Sequence, residues 1–108
     1  GAEQLALLPD GAGVVNTARS WLVDEGALLV ELRTGRIDAA IDVFDDEPLP
    51  AEHPFRTLPN VLLTPHRAAG TVEGRLRQGA IVAREVSAYV DGGVLAHEIT
   101  RERLETMA

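Results

Sequence analysis

Arg19, Glu47 and His66 are each placed where a predicted strand runs out, and together they could hold an acid and move a proton. Arg19 ends the run Val14-Val15-Asn16-Thr17-Ala18-Arg19. Glu47 follows Ala39-Ala40-Ile41-Asp42-Val43-Phe44 by a three-residue step and precedes Pro48. His66 ends Val61-Leu62-Leu63-Thr64-Pro65-His66. In a parallel α/β sheet the carboxyl ends of the strands gather on one edge, where ligands bind. A guanidinium offers a planar fork that grips a carboxylate, or it pairs with a surface acid. An imidazole transfers protons near neutral pH, and a carboxylate beside it fixes its tautomer. Without such a neighbour, His66 is an inert loop residue and Glu47 a solvated acid. Asp42 lies inside an apolar run, where a carboxylate is costly unless hydrogen-bonded. It either serves a ligand or backbone or caps a neighbouring loop.

The elements that must position these residues alternate as β–α–β–loop–β–α. Ala2 to Leu8 reads as the last turns of a helix lacking its beginning, and Pro9-Asp10-Gly11 turns the chain. Gly13 to Thr17 is a short strand. Asp24 is the N-cap of a helix over Glu25 to Arg33, and Gly35 stops it. Ile37 to Phe44 reads as a strand covered on both faces, because it is nearly all apolar. Asp45 to Asn60 is a proline-rich loop, and Val61 to Thr64 is the third strand. Thr71 to Asp91 is a long helix, with Leu76, Ala80, Ala83, Val86, Ala88 and Val90 near helical spacing. Gly92-Gly93 ends it, and a polar tail with a final helical turn follows. The order predicts an α/β fold with parallel strands and right-handed crossovers.

The 108 residues suffice for a small domain with a modest core. With a net charge of −7 and no basic run, the chain is not expected to bind nucleic acid. No apolar run is long enough to span a bilayer, so no membrane partner is expected. The absence of Cys excludes thiol chemistry and fits a cytoplasmic location. His53, His66 and His97 match no ligand spacing, and no metal is expected.

Several motifs occur in one order: Val15-Asn16-Thr17-Ala18-Arg19, Leu22-Val23-Asp24, Gly35-Arg36-Ile37, Ile41-Asp42-Val43-Phe44, Glu47-Pro48-Leu49-Pro50, His53-Pro54 and Leu58 through His66. This series resembles the C-terminal part of the D-isomer-specific 2-hydroxyacid dehydrogenases over about residues 3 to 91. The resemblance implies the second half of a Rossmann-like, doubly wound parallel sheet over residues 1–70. Residues 71–108 would form a crossover helix and tail returning toward a substrate domain. It implies NAD or NADP as cofactor, with NAD favoured, and a small 2-keto or 2-hydroxy acid as substrate. The full-length protein is expected to be a homodimer.

By the same resemblance Arg19 binds the substrate carboxylate, His66 carries the proton and Glu47 partners it. Thr17, Ala18, Arg19, Asp42, His66, Ala68 and Ala69 would meet the nicotinamide end. The family usually has Gly where Ser20 follows Arg19 and often has Gly at Ala69. Arg67 also departs from its usual small or apolar residue. These changes fall on the rim of the expected pocket and bear on substrate identity. No G-x-G-x-x-G turn occurs in the 108 residues, so the chain reads as a C-terminal fragment. A nucleotide-sensing protein or corepressor on the same fold is the alternative function.

Overall fold

A computed structural model of the chain describes residues 1–107. Two compact units divide it, residues 1–68 and the residues from 69 onward. In the first unit, helix α1 (Ala2–Ala6) leads to strand β1 (Gly13–Asn16) through a turn at Gly11, whose φ of 81° suits a residue without Cβ. Helix α2 (Glu25–Arg33) starts at Asp24, whose Oδ1 accepts from the Ala27 N–H at 2.9 Å. Gly35, with φ 73°, redirects the chain into strand β2 (Asp38–Ile41). Strand β3 (Val61–Leu63) follows a long loop containing a 3₁₀ turn at Pro54–Thr57.

The sheet order is β1-β2-β3, with both pairs parallel. Asn16 is level with Ile41, and Ile41 with Leu63, so all three strands deliver their carboxyl ends to one edge. Side chains alternate across the sheet. Val14, Ala39 and Val61 share one face with Asn16, Ile41 and Leu63, and this face meets the core of Leu5, Leu28, Leu32, Ile37 and Phe55.

Two expectations are corrected. The second strand stops at Ile41 instead of Phe44, because the last ladder bond to β3 runs from the Thr64 N–H to the Ile41 carbonyl. Beyond it, Asp42, Val43 and Phe44 stay buried without strand pairing. The sheet is also not covered on both faces. Val15 and Leu62, on the face opposite the core, are 70% and 66% exposed.

Side chains from outside the elements hold this unit together. The Arg36 guanidinium donates to Glu31 Oε2, to the Leu5 carbonyl and to the Leu8 carbonyl, joining the end of α1 to α2. The Glu31 carboxylate, through its hydrogen bond, holds Arg36 even more firmly protonated than usual. Asn60 Nδ2 donates to the carbonyls of Leu32 at 3.0 Å and Ile37 at 2.7 Å, which closes the end of α2.

The second unit is built on helix α3 (Val72–Val90), which Thr71 caps by accepting from the Gly74 N–H. Gly92, with φ 66°, ends it. Glu85 then accepts from the N–H groups of Ala96 and His97, which holds the returning chain on the helix. A short helix α4 (Arg101–Thr106) follows. No described helix is long and apolar enough to cross a membrane.

Candidate active site at the carboxyl edge of the sheet

Glu47 and His66 meet. Glu47 Oε2 lies 2.8 Å from His66 Nδ1, although 19 positions separate the two residues. Glu47 Oε1 accepts from the Phe44 N–H at 3.0 Å. The His66 bond, and after it the Phe44 N–H, hold the Glu47 carboxyl below the usual glutamate range. An ionised carboxylate can only accept, so the proton of the contact belongs to Nδ1. That assignment leaves Nε2 of His66 as the nitrogen that can exchange a proton with a ligand. The His66 side chain is 47% exposed, and a cavity of about 570 Å³ opens beside it. Phe44, Glu47, Arg56, Leu63 and Thr64 are among its lining residues.

His66 occupies a strained backbone position. Its φ of 51° lies in the left-handed region, which a residue with a Cβ adopts only when its surroundings enforce it. Asp42 supplies that enforcement. It is 1% exposed, and its Oδ1 accepts from Thr64 Oγ1 at 2.5 Å and from the Arg67 N–H at 2.7 Å. Oδ2 accepts from the Ala68 N–H at 2.9 Å. One carboxylate thus fixes the chain on both sides of His66. Burial alone would push the Asp42 carboxyl up, but the hydrogen bonds from Thr64, Ala68 and Arg67 outweigh it and hold the group below its ordinary range. Asp42 thus fixes the backbone of the loop that follows β3.

Arg19 stands on the same sheet edge, beyond the end of β1, and is exposed. Its Nη1 donates to the Ala18 carbonyl at 2.6 Å, and no hydrogen bond or ion pair links it to Glu47 or His66. Asn16, which is buried, shapes this turn. Its Nδ2 donates to the Arg19 carbonyl and its Oδ1 accepts from the Ala18 N–H. Thr17 and Ala18 are exposed on the edge. Ala68 closes the first unit, and Ala69 opens the second. Among the described residues, no three His, Cys, Asp or Glu side chains gather as a metal site.

Glu25, His53 and Arg56 also hold the Glu47 loop, and reading the sequence did not single out their role. The sequence places Glu25 at the start of α2 and His53 in the proline-rich loop, with no local signal linking the two. The His53-Pro54 pair was the available signal, since Pro at the first position of a helical turn often follows a capping side chain.

A three-stranded parallel α/β sheet with a carboxylate–imidazole pair on its carboxyl edge has the architecture of half a doubly wound domain, the class in which ligands bind at that edge. The family described as D-isomer specific 2-hydroxyacid dehydrogenase, NAD binding domain, matches residues 1–68, and the chain belongs to it. Glyoxylate reductase of Aeropyrum pernix is 43% identical over 103 residues, covering 94% of this chain. D-3-phosphoglycerate dehydrogenase of Methanocaldococcus jannaschii is 45% identical over 93 residues, covering 85% of this chain. The chain spans 31% of the length of the first relative and 18% of the second. A crystal structure of a D-isomer specific 2-hydroxyacid dehydrogenase from Xanthobacter autotrophicus Py2, in complex with NADPH and MES, superposes with a TM-score of 0.77 at 36% identity. That match covers 95% of this chain and 42% of the other.

Proposed function

We propose that this chain carries the proton-transfer and substrate-carboxylate groups of an oxidoreductase that uses NAD or NADP to interconvert a D-2-hydroxy acid and a 2-keto acid. The single observation behind this reading is the 2.8 Å contact between Glu47 Oε2 and His66 Nδ1, which leaves His66 Nε2 as the ring nitrogen able to exchange a proton with a substrate. The exposed edge at Thr17, Ala18 and Ala68 fits the flat, polar nicotinamide end of a dinucleotide. When bound, the nicotinamide supplies or accepts the hydride. In the reduction direction, His66 Nε2 gives its proton to the oxygen of the keto group while the carbon gains the hydride. Glu47 holds Nδ1 protonated and the ring in place. Arg19 turns from Ala18 to grip the substrate carboxylate with its two-pronged fork. In oxidation the same nitrogen takes the hydroxyl proton.

The test is a chimera in which this chain replaces the 103 matched residues of the Aeropyrum glyoxylate reductase. It should reduce a 2-keto acid with NADH or NADPH. His66→Ala should lower kcat by about 10²–10⁴-fold, the range of general acid–base groups. Arg19→Lys keeps the charge but loses the bidentate grip, so it should raise KM for the keto acid and lower kcat. A His66→Ala chimera as fast as its parent would sink the proton-donor role.

A further inference from the structure

We infer that Glu25 and His53 are a positioning pair that sets the Glu47–His66 contact. The functional meaning of the pair rests on the proton-transfer reading above, but its test does not. Glu25 stands in the first turn of α2. Its Oε1 lies 3.1 Å from His53 Nε2, and its Oε2 accepts from the Asp45 N–H at 3.2 Å. One carboxylate therefore fastens both ends of residues 45–53, the segment that carries Glu47. His53 Nδ1 accepts from the Phe55 N–H at 3.3 Å. A neutral ring that accepts at Nδ1 must hold its proton on Nε2, so His53 donates to Glu25.

The pair is better shielded than the groups it serves. The Glu25 and His53 side chains are 21% and 18% exposed, against 36% and 47% for Glu47 and His66. The His53 ring also rests edge-on against Phe55, with centroids 4.9 Å apart. Arg56 closes the far side of the segment by donating to the carbonyls of Leu49 and Pro50. The chain of constraint is continuous. Glu25 holds the Asp45 N–H, and the adjacent Phe44 N–H holds Glu47 Oε1. Glu47 Oε2 then meets His66 Nδ1. An unfastened segment would leave a flexible glutamate with many rotamers, and the contact would be populated only part of the time.

Two substitutions of His53 separate its two bonds. His53→Asn keeps an acceptor near the Nδ1 position for the Phe55 N–H but cannot reach Glu25. His53→Gln keeps a donor near the Nε2 position but loses the Phe55 cap. Glu25→Gln replaces one acceptor oxygen with a donor. The readout is the Nδ1 nitrogen of neutral His66, followed by long-range ¹H–¹⁵N correlation in the ¹⁵N-labelled 108-residue chain, with folding checked by circular dichroism. In the parent, Nδ1 should read as a protonated nitrogen. His53→Asn and Glu25→Gln should shift the Nδ1 signal toward the average of the two tautomers, while His53→Gln leaves it in place. An unmoved signal in folded His53→Asn would overturn the inference. So would equal shifts in His53→Asn and His53→Gln, because the cap or the Phe55 packing would then be responsible. The measurement needs no cofactor. A chimera without activity whose His66 signal still responds would therefore sink the functional reading and leave the positioning pair intact.

Discussion

Glu47 is bound at both oxygens, and both bonds favour its ionised form. Its folded value lies below the unfolded one, so the contact is fully present above the ordinary glutamate range of about 4.3 and is lost as pH falls through the depressed value. His66→Ala removes the first cause of that depression. The Glu47 carboxyl titration, followed by ¹³C NMR, should therefore move to higher pH in His66→Ala. An unchanged midpoint would mean that the Phe44 N–H alone holds the group. Asp42 offers a second test at this scale. In Asp42→Asn, the amide that replaces Oδ2 meets the Ala68 N–H, so two donors face each other in a buried place. The expected loss is about 1.5–3 kcal/mol, the range for a hydrogen bond to a charged group, read as a lower urea midpoint. The depressed Asp42 carboxyl stabilises the fold above about pH 3.9 and loses that effect as pH falls through its folded value. Asp42→Asn should consequently flatten the acid limb of the stability curve, and a limb as steep as the parent's would rule out this account.

Among the elements, the loop between β2 and β3 is held mainly by side chains, since only its 3₁₀ turn is regular. Phe55, 1% exposed in that turn, anchors the loop in the core beside Leu32 and Ile41. Phe55→Ala removes a large buried ring where the surrounding chain cannot fully collapse. The expected cost is about 3–5 kcal/mol. In urea the midpoint should fall while the slope stays the same. A loss below about 1 kcal/mol would show that the loop closes over the gap and that Phe55 is not its anchor. Helix α2 contributes at both of its ends. Asp24 caps its start, while Glu25 reaches from its first turn to Asp45 and His53. Its far end is closed by Asn60, the last residue of the loop before β3.

At the scale of the whole chain, the carboxyl edge of the first unit carries Arg19, Glu47 and His66, and the question is what would hold a dinucleotide's phosphates. A dinucleotide gains much of its affinity from its pyrophosphate lying at a glycine-rich helix start, and no G-x-G-x-x-G turn occurs in this sequence. The 108-residue chain by itself should therefore bind NADH too weakly to saturate in a calorimetric titration at micromolar protein. A saturable micromolar isotherm would show that the nicotinamide edge suffices for binding. The chimera described above should restore tight binding, because the relative supplies the rest of its chain.

Local residue order determined most of the architecture. The limits of α2 followed from Asp24 and Gly35, and those of α3 from Thr71 and Gly92, because caps and positive-φ turns are chosen by neighbouring residues. The alternation of apolar runs and helices made the parallel sheet legible, and with it the edge shared by Arg19, Glu47 and His66. The sequence could not reveal where β2 stops, since Asp42, Val43 and Phe44 are as apolar or as buried as a strand, and only the short reach of β3 ends the ladder. Nor could it show that one sheet face stays open at Val15 and Leu62, because burial depends on what packs there. The left-handed backbone of His66 and the meetings of Asp42 with Ala68 and Glu25 with His53 join residues about 25 or more positions apart. Contacts at that separation leave no local pattern in the chain, and only the tertiary structure decides them.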